Sequence, residues 1–115
     1  MAWAIPTNDN KSQGKYSGQA TYFYPGLGAC GWTNGDDDMI VAQSELLFKP
    51  NHGADCGRIV EITNVKKGNV ATAKLVDECP GCSQGSLDMS PALFSKLNDG
   101  DLDAGVFNIT WHFQS

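Results

Sequence analysis

The chain has 115 residues, of which 41% are hydrophobic and 18% charged, enough for one domain with a single core and too little charge for a disordered or coiled-coil chain. Eight Lys and Arg face thirteen Asp and Glu, a formal charge of -5. Nucleic acids and anionic membrane surfaces both require a basic footprint, so neither is an expected partner, and no apolar run approaches the roughly 20 residues that span a bilayer.

Residues 1–18 are polar and aperiodic and read as a loose arm, including Trp3. Gln19 to Tyr24 is β-prone and stops at the Pro25-Gly26 turn signal. Gly26 to Gly31 is a glycine-rich loop with no Lys-Ser/Thr ending, hence no phosphate loop. Asp36-Asp37-Asp38 lacks the Gly and downstream Glu of a calcium loop and reads as a solvated turn before a short buried strand, Met39 to Ala42. Ser44 to Phe48 suits one helical turn capped by Ser44, and Pro50 to Gly57 is loop. Arg58 to Thr63 and Asn69 to Asp77 alternate as strands, joined by the turn Lys66-Lys67-Gly68-Asn69. Asp88 to Leu97 is the one good helix, with Ser90 as cap, Pro91 at its first position and Asn98-Asp99-Gly100 as stop. Val106 to Phe113 closes as a strand. Thirteen glycines and five prolines fit many turns, and this order predicts an all-β barrel or sandwich with a small helix.

Four cysteines in a short chain fit two disulfides in an oxidising compartment. Cys79 and Cys82 also have zinc-ligand spacing, but Cys30 and Cys56 are isolated and neither histidine joins a cluster, so no metal is expected. Ser83-Gln84-Gly85 starts a helix poorly, which favours a structural over a redox use of Cys79-Pro80-Gly81-Cys82. The first residues lack the basic start and apolar stretch of an export signal, so an exported chain would be a mature form with Met1 added or retained.

Asp77, at a strand end, and Asp88, before the helix cap, can converge across the cysteine loop, and paired carboxylates do acid–base work when one pKa is raised. Spacing alone favours the plainer reading, in which Asp77 caps a loop and Asp88 helps to cap the helix. Tyr22, Tyr24, Trp32 and Trp111 are either sugar-stacking platforms or core; Tyr24 and Trp32 flank the glycine loop, which favours exposure. His52 and His112 lie far from any Ser or Cys that would make a triad. Asn108-Ile109-Thr110 is a glycosylation sequon in a predicted strand.

Ala20 to Tyr24, Gly28-Ala29-Cys30-Gly31, Asp55-Cys56-Gly57-Arg58, Val76 to Cys82 and Ser86 to Phe94 stand in the order seen in expansin-like domains. The chain resembles the small fungal rare-lipoprotein-A-like group that includes the loosenins. The resemblance spans about residues 17 to 113 and implies a six-stranded double-psi β-barrel with an open groove, here residues 17–115 after an arm of 1–16. It implies Asp88, Asp77 and Thr21 as the polar residues of the groove, Tyr22, Tyr24 and Trp32 as substrate contacts, and pairing of Cys30 with Cys56 and Cys79 with Cys82. Cys79 stands where bacterial expansins carry an aromatic, and Pro25 stands where related inverting endoglucanases carry their base. An inverting glycosidase needs that second carboxylate to activate water. The implied function is therefore a secreted, monomeric, cofactor-free and non-hydrolytic loosening of cellulose, chitin or xyloglucan walls. Similar barrels also inhibit papain-type proteases, through loops such as Gly26 to Gly35, and others act as lytic transglycosylases or endoglucanases.

Overall fold

A computed structural model describes residues 14–114. Among the described residues, six strands are interspersed with two short helices: β1 (Tyr16–Tyr22), β2 (Ile40–Ser44), α1 (Glu45–Phe48), β3 (Ile59–Asn64), β4 (Val70–Cys79), β5 (Leu87–Met89), α2 (Pro91–Leu97) and β6 (Phe107–Phe113). The strands close into a barrel in the order β1-β5-β2-β4-β3-β6. The pairs β1/β5 and β2/β4 are parallel and the other four are antiparallel, so this is the double-psi β-barrel that the resemblance implies.

The core follows from the period-2 pattern. Val60 and Ile62 on β3, Ala71, Ala73 and Leu75 on β4, and Ile109 and Trp111 on β6 all point inward and are buried. Leu93, Phe94 and Leu97 of α2 plug the barrel. Ser90 caps that helix by accepting the Leu93 N–H at 3.2 Å, and Pro91 gives up no useful donor in the first turn. Ser44 does the same for α1, accepting the Leu46 N–H at 3.1 Å. The turn at Lys66–Asn69 joins β3 to β4, with Gly68 at φ 78°.

Two elements differ from expectation. Strand β1 begins at Tyr16, inside the stretch read as an arm, because Tyr16 pairs with Trp111 and stacks on its ring at 4.3 Å. A tertiary contact thereby overrides a polar local composition. The rest of the expected arm, up to residue 13, lies outside the described residues, and Trp3 with it. Asp88 and Met89, expected within the helix stretch Asp88 to Leu97, instead form β5 with Leu87, bonded to both β1 and β2. Trp111 is core: it is 1% exposed, and its Nε1–H donates to the Gly85 carbonyl at 2.9 Å.

Candidate functional site

The registers of four neighbouring strands align Thr21, Asp88, Ala42 and Asp77 in one row. Thr21 pairs with Asp88 across β1/β5, Asp88 with Ala42 across β5/β2, and Ala42 with Asp77 across β2/β4. Residues directly opposite one another share a face. The inward neighbours Ala20, Leu87, Met89 and Val41 are core, so this row lies on the outer surface of the barrel. Adjacent strands lie about 4.8 Å apart, which separates the Asp88 and Asp77 backbones by roughly 10 Å, with the small, buried Ala42 between them.

Asp77 reaches that face through a β-bulge. Ala71, Ala73 and Leu75 alternate inward, and strict alternation would send Asp77 into the core. The register instead jumps from Val41–Leu75 to Ala42–Asp77, leaving Val76 as the extra, buried residue. The glycine loop seats on the bulge. The Cys30 N–H donates to the Val76 carbonyl at 3.2 Å, and the Ala29 N–H donates to Asp77 Oδ1 at 2.7 Å. A Cβ at Gly28 would strike the Val76 carbonyl, so glycine is needed for that approach. Cys30 is further tied to Cys56, and Cys79 to Cys82 at the rim of the same face.

The two carboxylates have different environments. Asp88 accepts the Thr21 hydroxyl at 2.9 Å. Burial pushes its carboxyl above the usual range; the Thr21 hydroxyl and the Met89 N–H oppose that rise, and the charge of Asp77 adds to it. Asp77 Oδ1 is already committed to two backbone donors, Ala29 N–H and Glu78 N–H at 2.8 Å. Asp77 therefore anchors the loop, while Asp88 is a half-buried carboxylate held by the Thr21 hydroxyl.

The aromatic candidates divide in the same way. Tyr24 is 71% exposed and meets Tyr22 edge-on at 6.2 Å. Tyr22 is only half-buried, but it turns to the barrel end and packs on Phe94 at 4.9 Å. Trp32 is 41% exposed, with the Lys74 ammonium over its ring at 4.1 Å. Beyond Thr21 the surface continues as a hollow of about 320 Å³ lined by Gln19, Thr21, Gly81, Cys82, Ser83 and Ser86. Its side chains are neutral hydroxyls and an amide, apart from the disulfide loop. Sequence reading missed Ala42, Val76 and this serine pair. For the bulge a signal existed: apolar Val76 follows apolar Leu75 where alternation calls for a polar residue.

Asp36-Asp37-Asp38 forms an exposed turn, as read. The Gly35 N–H, then the Asn34 amide, hold the Asp38 carboxyl below its usual range. His52 is exposed in a loop, and His112 lies 3.5 Å from Glu61 on the opposite strand pair; neither approaches the row.

The sequence model of one family, described as the Barwin family, matches residues 46–113. The allergen Asp f 7 homolog of Arthroderma benhamiae is 34% identical over 112 residues, covering 84% of this chain and 38% of that protein. The chain thus spans under two-fifths of that relative's length. The papain inhibitor of Streptomyces mobaraensis is 34% identical over 105 residues, covering 86% of this chain and 71% of the inhibitor. Among solved structures, a mutant Clavibacter michiganensis expansin in complex with cellohexaose superposes with a TM-score of 0.74 at 29% identity, over 88% of this chain and 50% of that one.

Proposed function

The chain belongs to the Barwin family, and on that premise we propose that it is an extracellular protein that binds polysaccharide in the groove of Thr21, Asp88, Ala42 and Asp77 and loosens chain packing without cutting it. The observation that carries this reading is the row itself: a partly buried carboxylate that accepts the Thr21 hydroxyl, on the strand next to β1, whose chain runs on to the exposed ring of Tyr24. A carboxylate accepts hydrogen bonds from sugar hydroxyls, and an exposed ring stacks on the apolar face of a pyranose. The expansin solved with cellohexaose shares the barrel. Two disulfides fit an oxidising, extracellular compartment.

Hydrolysis with inversion needs a carboxylate that holds and activates a water across from the acid. Asp77 lies two strands from Asp88 in the same row and spends Oδ1 on the Ala29 and Glu78 N–H groups. Pro25 supplies no base. The test is a binding panel on cellulose, chitin and xyloglucan with wild type and Asp88→Ala, run alongside a reducing-end assay. Binding that falls with Asp88→Ala, without reducing ends, is expected. Catalytic release of reducing ends, abolished by Asp88→Asn, overturns the non-hydrolytic reading.

A second reading rests on the papain inhibitor, 71% of which aligns with this chain. In it the loop from Gly26 to Gly35, folded on itself by a Leu27–Thr33 bridge, blocks a cysteine protease. Titration against papain separates the two readings, because Asp88→Ala would leave inhibition intact.

A further inference from the structure

The sequon Asn108-Ile109-Thr110 lies in the middle of β6, where alternation sorts its three side chains. Ile109 is buried in the core, while Asn108 is exposed and Thr110 shares its outer face. Asn108 pairs with Gln19 on β1, and its carbonyl accepts the Val65 N–H at 3.0 Å. Around it lies an open hollow of about 470 Å³, lined by Ser17, Gly18, Gln19, Val65, Ile109 and Thr110. Its wall includes Val65, an apolar side chain left 57% exposed directly after β3.

From these features we infer that Asn108 is an N-glycan acceptor and that the first sugars of the glycan lie in this hollow, over Val65. The sequon supplies the acceptor amide and the threonine hydroxyl that the transfer requires. In transfer, the Asn108 Nδ2 forms a bond to the anomeric carbon of a lipid-pyrophosphate-linked oligosaccharide. The carbon–oxygen bond to the pyrophosphate breaks, the lipid pyrophosphate leaves, and one amide proton passes to the transferase. In the folded barrel the product projects from an outward position, so no core packing opposes it. The N-acetylglucosamine ring and its methyl then cover apolar surface that the bare protein leaves wet. The site is separate from the Asp88 row, and the inference stands whether or not the groove binds polysaccharide.

The test is secretion of the full chain from a yeast host, followed by intact mass and peptide mapping. Expected is a mass gain of hexose and N-acetylhexosamine units on the peptide containing Asn108, removed by an amide-cleaving endoglycosidase. The gain is lost in Asn108→Gln and Thr110→Ala and retained in Thr110→Ser. A secreted wild-type chain at bare polypeptide mass overturns the inference. The seat in the hollow is read by melting temperature. Wild type melts higher glycosylated than after enzymatic removal of the glycan, and Val65→Ser shrinks that difference while leaving occupancy unchanged. An equal difference in Val65→Ser overturns the seat.

Discussion

Asp88→Asn keeps the shape of the groove floor and removes only the charge. The carboxylate offers about four acceptor positions, and the Thr21 hydroxyl and Met89 N–H use two, leaving room for at least one sugar hydroxyl. A hydrogen bond to a charged acceptor contributes about 1 to 1.5 kcal/mol more than one to a neutral acceptor. That is about five- to thirteen-fold in Kd per hydroxyl held. Wild-type binding should decline in the same way as pH falls through the raised Asp88 value, and the variant should lose that pH dependence. Stability moves in the opposite direction. Because burial raises the folded pKa above the ordinary value of 3.8, the charged form strains the fold at neutral pH. The Asp88 contribution to stability therefore improves as pH falls from the raised value towards 3.8, and Asp88→Asn should melt higher than wild type near pH 7. Calorimetric titration with cello-oligosaccharide, paired with thermal melts across pH, reads both effects. Equal affinity for the two proteins at pH 7, or a lower melting point for the variant, would refute the account of Asp88 as a desolvated glycan acceptor.

Gly28→Ala should lift the glycine loop off the Val76 carbonyl and break the Ala29–Asp77 bond, costing about 1 to 3 kcal/mol in chemical denaturation and weakening glycan binding. Tyr24→Ala should leave the melting temperature unchanged, because the ring is 71% exposed, yet reduce retention on insoluble polymer in a pull-down. Joint replacement of Cys30 and Cys56 by serine releases a link of sequence separation 26 and should cost about 3 to 4 kcal/mol in urea unfolding at fixed pH.

Local chemistry made much of the fold legible. Ser90-Pro91 marks a helix start wherever it precedes an apolar stripe, and Lys66-Lys67-Gly68-Asn69 between alternating runs marks a hairpin. Strand β5 was not legible as a strand, since three residues ahead of a strong cap carry too little periodicity to oppose it. Its partners Thr21 and Ala42 lie 67 and 46 residues away, and only closure of the barrel brings them together. For the same reason Tyr16 was unreadable as strand without Trp111. The pairing of Thr21 with Asp88 came from family resemblance rather than spacing, and the register supplies its physical cause: parallel β1/β5 sets the hydroxyl beside the carboxylate. What no local rule conveyed is the unequal standing of Asp77 and Asp88, because that depends on which of them a distant loop has already engaged.

The extra residue in β4 carries a lesson for comparing this barrel with others. Along a strand there are only two parities, and Val76 switches between them without altering any chemistry of its own. Were Val76 to take a regular place in the ladder instead, it would face outward beside Ala42 and Asp77 would turn into the core. Between two homologues, then, what the surface displays at Asp77 depends on whether the residue after Leu75 is taken up as a bulge. An alignment that closes a one-residue gap at this point would equate side chains pointing in opposite directions.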